Sequence, residues 1–201
     1  MSTFDERARE WDTAERRERA EAVADAIRAN VPLTPTTRTI DIGAGTGLLG
    51  LELVDDIGDL VLAEPSTGMR EVIAEKLATA GRADVSAIEL NLTAGPPPGE
   101  PFDLAISLLV LHHIADTAAA LASIRGLLRP GGRIAIADLD TEDGTFHDPD
   151  AEGIHHLGFD RAAVGDLARA AGFVDVEFRT AIEIVEDDHR FPVFLLLGRN
   201  P

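Results

Sequence analysis

The stretch that most restricts this chain's fold is residues 38–54. A short strand pattern, Arg38–Ile42, runs straight into Gly43-Ala44-Gly45-Thr46-Gly47 and leaves as a helical pattern over Leu48–Val54. Glycines at such a turn let the backbone bend tightly and approach a bound group, because no Cβ stands in the way. In an open α/β sheet the first strand-to-helix turn lies at the carboxyl edge, where ligands bind. The alternation then continues. Asp59–Glu64, Asp84–Leu90, Phe102–Leu109 and Arg133–Asp138 read as strands. Ser66–Ala80 and Asp116–Leu128 read as helices, the first with Met69, Val72, Ile73 and Leu77 on one face. This rhythm predicts a parallel sheet covered on both sides. The tail departs from it: after a helix over Asp160–Ala171, Val174–Ile184 and Phe191–Leu197 are two strands with no helix between them. They are expected to pair antiparallel as a hairpin at the sheet edge.

A chain of 201 residues is the size of one α/β domain, so residues 1–201 are expected to form a single unit. Residues 1–30 are expected to supply a helical cap, continuous from Asp5 to Asn30, with Trp11, Ala20, Val23, Ala24 and Ile27 at helical spacing. Residues 139–158 read as a substrate-side loop. No apolar run is long enough for a membrane span, and the charged opening residues lack a signal-peptide stretch, so the default location is cytoplasmic. Cysteine is absent, which removes disulfides, thiolate metal sites and thiol nucleophiles. The formal charge of −18 disfavours a nucleic-acid partner. The densest basic stretch, Arg16, Arg17 and Arg19, is diluted by Glu15, Glu18 and Glu21 and reads as a solvated helical face.

The glycine run admits two ligands. Gly45–Gly50 matches G-x-G-x-x-G and Glu64 follows about 20 residues on, as a dinucleotide site requires. Against that, Asp41 precedes Gly43 to give Asp-x-Gly-x-Gly-x-Gly, and an anion there suits a cation better than a pyrophosphate. S-adenosylmethionine (SAM) carries both a sulfonium and an ammonium. The terminal hairpin is not expected of the usual nicotinamide domain, and a separate substrate domain is not expected in a chain this short. SAM is the favoured ligand.

These residues resemble the class I SAM-dependent methyltransferases over nearly the whole chain. Asp41–Gly47 is similar to that family's first motif and Ala63–Met69 to its second, whose acid binds both ribose hydroxyls. Phe102–Ser107 with Leu111-His112-His113 resembles the fourth-strand motif, and Leu128–Arg133 the turn before strand five. The opening Phe4-Asp5 with Trp11-Asp12 resembles small-molecule members, whose N-terminal helix closes over the cofactor. The resemblance implies a doubly wound seven-stranded α/β sheet of order 3-2-1-4-5-7-6, strand 7 antiparallel, behind an N-terminal helix. It implies cofactor contacts from Trp11, Asp41, Gly43, Ala44, Gly45, Gly47, Glu64, Pro65, Met69, Leu92 and Ser107. Asn91 stands where the family often has an acid near the adenine amino group, and its side-chain oxygen can accept from that amine. The expected activity is methyl transfer from SAM to a small molecule. His112 is the candidate base, and His155 and His156 are candidate substrate contacts. The loop's carboxylates and histidines lack a repeated ligand spacing, so no metal is expected. A SAM-binding protein without turnover and a nicotinamide oxidoreductase are the alternatives.

Overall fold

The computed structural model describes residues 3–90, 92, 99–147, 151, 153–186 and 189–201. In chain order its elements are α1 (Thr3–Arg7), α2 (Ala14–Asn30), β1 (Thr39–Ile42), α3 (Leu48–Leu53), β2 (Leu60–Ala63), α4 (Thr67–Ala80) and β3 (Val85–Ile88). There follow β4 (Phe102–Leu108), α5 (Thr117–Leu127), β5 (Leu128–Leu139), α6 (Arg161–Ala170), β6 (Val174–Glu186) and β7 (His189–Arg199). The sheet order is β3-β2-β1-β4-β5-β7-β6. The first five strands pair in parallel, whereas β7 runs antiparallel to both β5 and β6. Both the expected order and the terminal hairpin are present.

Residues alternate between the two faces of each strand, as a pleated strand buried on both sides requires. Leu104 and Ile106, Ala135 and Ala137, and Val193 and Leu195 meet α2 and α3 through Val23, Ile27, Leu49 and Leu53. Ala105, Ile134, Ile136, Phe194 and Leu196 face the other way, onto Leu121 and Ile124 of α5 and Val164 and Ala168 of α6. Side-chain caps start the helices: Thr13, Ser66, Asp116 and Asp160 each accept a backbone N–H three residues on.

Two elements differ from expectation. The N-terminal helix is broken: α1 and a short 3-10 turn end by Glu10, and α2 begins afresh at the Thr13 cap. Strand β5 starts earlier than expected, at Leu128, and takes in Pro130-Gly131-Gly132. The register jumps there, from Phe102 opposite Leu128 to Leu104 opposite Arg133, so the extra residues bulge out of the ladder.

Strand order reverses at β1, which has β2 on one side and β4 on the other. Crossovers leave this point in opposite directions and open a crevice at the carboxyl ends of β1 and β4. That is where the glycine run lies.

Candidate active site

A cavity of about 520 Å³ occupies that crevice. Asp41, Gly43, Ala44, Gly45 and Thr46 form one wall, Glu64, Pro65 and Met69 a second, and Leu90 and Leu92 continue it after β3. Gly43 is held at φ +67, and a Cβ added there would lie 2.6 and 2.7 Å from the two methyls of Val110. The backbone thus passes where no side chain fits. Gly47 sits at the left-handed N-cap of α3.

Two buried carboxylates face the loop. Glu64, 7% exposed, accepts from Gly45 N at 2.9 Å and from Ser66 N at 2.8 Å. Each oxygen keeps further lone-pair capacity for a ligand hydroxyl. Asp41 accepts from Gly50 N at 3.0 Å, its one hydrogen bond among the described residues. Burial pushes its carboxyl up to about 8, against the pull of the Gly50 N–H and with a further push from Glu64. Burial likewise raises Glu64, partly offset by its two N–H donors. Such a pair is relieved by a cationic, hydroxyl-bearing ligand.

The broken N-terminal segment closes the cavity. Asp5 Oδ1 accepts from Ser66 Oγ at 2.6 Å and Gly68 N at 3.0 Å, tying α1 to the start of α4. Asp12 takes the Thr46 hydroxyl and the Lys76 ammonium, the latter at 2.7 Å. Lys76 also donates to Thr46 O at 2.7 Å. Trp11 is thereby set over the loop, its Nε1 3.5 Å from where a Gly45 Cβ would be. Phe4 packs edge-on to Trp11 and to His113.

At the far wall, β4 is followed by Leu109, held at φ 56, and the chain then turns through Leu111–His113. A non-glycine residue in the left-handed region at a ligand cavity is local strain of the kind that marks functional sites. His113 lines the cavity; His112 lies behind it, 1% exposed, with ring centroids 4.2 Å apart. Asp138, fully buried at the end of β5, holds His112 Nδ1 at 2.7 Å and also accepts from Leu111 N and Leu139 N. A carboxylate satisfied by three donors fixes the Nδ1–H tautomer and leaves His112 Nε2 as the basic atom. That nitrogen is buried without a partner among the described residues, and so is His147 Nε2, whose ring lies 5.0 Å away. Burial, then the neighbouring His112 and His113, push His147 down to about 4. Burial also lowers His113. Both rings are neutral bases near pH 7.

Most of the expected cofactor residues meet at this cavity: Trp11, Asp41, Gly43, Ala44, Gly45, Glu64, Pro65, Met69 and Leu92 line it, with Gly47 adjacent. Ser107 does not; its hydroxyl donates to Ile42 O at 2.8 Å and ties β4 to β1. Asn91 lies outside the described residues. His155 and His156 do not line the cavity. Their backbone N–H groups bond His112 O, and the His156 ring lies 3.0 Å from Ile114 O and 3.2 Å from Thr117 Oγ1. No cluster of three or more metal-ligating side chains occurs among the described residues.

One expectation is corrected. Arg16 and Arg19 are not a solvated face; both line the cavity. Arg16 stacks on Trp11, 4.0 Å from the ring centroid, and donates to Trp11 O. The Arg19 side chain is only 14% exposed. Arg16 and Arg19 lie one helical turn before Ala20 and Val23 respectively, on the side of α2 that packs inward. Arg17 points outward and pairs with Asp12. Asp138, Leu109 and His147 carried no local signal in the sequence.

Comparison with known proteins agrees with this geometry. Residues 40–134 match the family described as methyltransferase domain. The chain is 33% identical over 154 residues to an uncharacterized methyltransferase of Geobacillus kaustophilus, covering 73% of this chain and 63% of that protein. It is 33% identical over 111 residues to a ubiquinone/menaquinone biosynthesis C-methyltransferase of Shewanella frigidimarina, covering 53% of this chain and 44% of the relative. In fold it superposes on a Haloferax volcanii methyltransferase, solved with the Trm112 methyltransferase activator, with a TM-score of 0.81 and 21% identity, covering 100% of this chain and 99% of that one. The matched domain, the relatives and the shared fold together support a class I SAM-dependent methyltransferase.

Proposed function

We propose that this protein transfers a methyl group from SAM to a small-molecule acceptor. The observation that carries the reading is Glu64: a buried carboxylate at the end of β2, both oxygens pinned by N–H donors, lining the same cavity as the glycine loop. The residues present fit SAM. Glu64 suits the ribose hydroxyls, Asp41 the cationic end, and the Gly43 backbone passes where a Cβ would collide with Val110. Leu90, Leu92 and Met69 offer an apolar slot for the adenine.

Bound SAM supplies a methyl group on a sulfonium, open to in-line displacement by a nucleophile. The protein's part is then to align the acceptor, exclude water and take up its proton where it has one. Trp11, Phe4 and Arg16 cover the cavity. The His112–His113 pair receives the proton, with Asp138 holding His112 in the required tautomer. The buried, unpartnered Nε2 of His112, directly behind the cavity-lining His113, supports turnover over binding alone.

The test is calorimetry with SAM, S-adenosylhomocysteine and NADH, followed by detection of S-adenosylhomocysteine release over an acceptor panel. Binding of the first two but not NADH, with release that depends on acceptor and on His112, supports the reading. Binding of NADH alone sinks it.

A further inference from the structure

Arg19 is an unusual side chain for so acidic a protein. It is held largely out of water on the cavity wall, and among the described residues its one ion pair is a single bond to Glu186 at 3.2 Å. Glu186 stands at the end of β6 with half its side chain in solvent, 51% exposed. An exposed counter-ion of this kind binds weakly, on the order of 0–1 kcal/mol. The guanidinium has five N–H donors in a planar fork, and one is engaged among the described residues. Burial disfavours its charge, with Glu186 working against that loss. The cavity therefore presents a partly desolvated cation whose present partner is easily displaced.

The position of Arg19 separates it from the cofactor contacts. Arg16 belongs with Trp11, beside the glycine loop. Arg19 instead lies 5.8 Å from the Phe146 ring; Phe146 packs on His147 at 4.8 Å, and His147 on His112 at 5.0 Å. A chain of ring contacts thus joins Arg19 on the cavity wall to the unpartnered imidazole nitrogens behind it. We propose that Arg19 anchors an anionic group, a carboxylate or phosphate, carried by the methyl acceptor. The anion takes the guanidinium fork from Glu186 and forms a charge-assisted, two-pronged contact that neutral acceptors cannot make. The proposal rests on the methyltransferase reading for the word acceptor; the anion subsite itself does not.

The test uses full-length protein saturated with S-adenosylhomocysteine and follows 4-fluorobenzoate, 4-fluorophenyl phosphate and neutral 4-fluorobenzamide by fluorine NMR. At least one anion should bind about tenfold or more tightly than the amide, and Arg19→Gln should abolish that preference. Glu186→Gln, at an exposed position that does not threaten folding, should strengthen anion binding several-fold by removing the competitor. No anion preference in the wild type, an unchanged preference in Arg19→Gln, or no gain in Glu186→Gln overturns the proposal. Loss of S-adenosylhomocysteine affinity in Arg19→Gln also overturns it, by assigning the guanidinium to the cofactor. If the wild type fails to bind S-adenosylhomocysteine in calorimetry, it is the methyltransferase reading that fails, and the anion titrations on the free protein still decide the subsite.

Discussion

Asp138 and His112 form a buried pair, Oδ1 to Nδ1 at 2.7 Å, with 1% or less of either side chain reaching solvent. The carboxylate also receives two backbone N–H bonds, so it is anchored independently of the imidazole. That arrangement orients the ring and leaves Nε2 without a hydrogen-bond partner among the described residues.

Asp138→Asn keeps the shape but loses the anion. The expected result is a fall in kcat of about 100-fold or more, the usual contribution of a positioned base. S-adenosylhomocysteine affinity should stay within about twofold, since neither residue lines the cofactor wall. Nitrogen NMR of His112 should show loss of the Nδ1–H tautomer. Full activity with the tautomer reversed would dismiss the role.

Replacing Glu64 with Gln removes the charge from the two expected hydroxyl contacts. Hydrogen bonds to a charged group contribute about 1.5–3 kcal/mol, so SAM should bind on the order of 10- to 100-fold more weakly. Calorimetry reads this directly, and unchanged affinity would rule out the ribose assignment.

Asp41 makes the stability of the ligand-free protein depend on pH. Its folded pKa, about 8, lies above its ordinary value of 3.8, so the folded state holds a proton the unfolded chain gives up. The contribution is fully present below about pH 4 and is lost as pH rises towards 8, at up to about 1.4 kcal/mol per unit. Asp41→Asn, neutral throughout, should flatten that slope relative to wild type in urea titrations at pH 5, 6, 7 and 8. Parallel curves for the two proteins would show that Asp41 ionises normally.

Gly43 and Gly131 separate crowding from backbone strain. Both have positive φ, +67 and +84, but a Cβ at Gly131 meets nothing within 4 Å, whereas one at Gly43 collides with Val110. Gly131→Ala should cost only the left-handed penalty of about 1–2 kcal/mol. Gly43→Ala should lower Tm further and weaken SAM binding as well. Equal melting temperatures would mean that Val110 gives way.

The order of elements, the two-sided sheet and the terminal hairpin were legible in the chain because they follow from local periodicity and from glycine placement. Asp41, Gly43 and Glu64 were legible for a related reason: each sits at a strand end whose position in the sheet the alternation predicts. The α2 break was not. Helical spacing continues through residues 5–30, and only the ties of Asp5 to Ser66 and Asp12 to Thr46 and Lys76 show why the chain turns aside between them.

By itself, then, the sequence determined the sheet, the glycine loop at its carboxyl edge and the acid that faces that loop. The tertiary structure alone decided which polar side chains are buried together. His112 and Asp138 stand 26 residues apart and meet only because β4 and β5 lie side by side in parallel register. Arg16 and Arg19 read as solvated along the helix, yet both line the cavity beside the buried face of α2. Periodicity is a property of neighbours along the chain, whereas burial of a charge depends on what other elements pack against it.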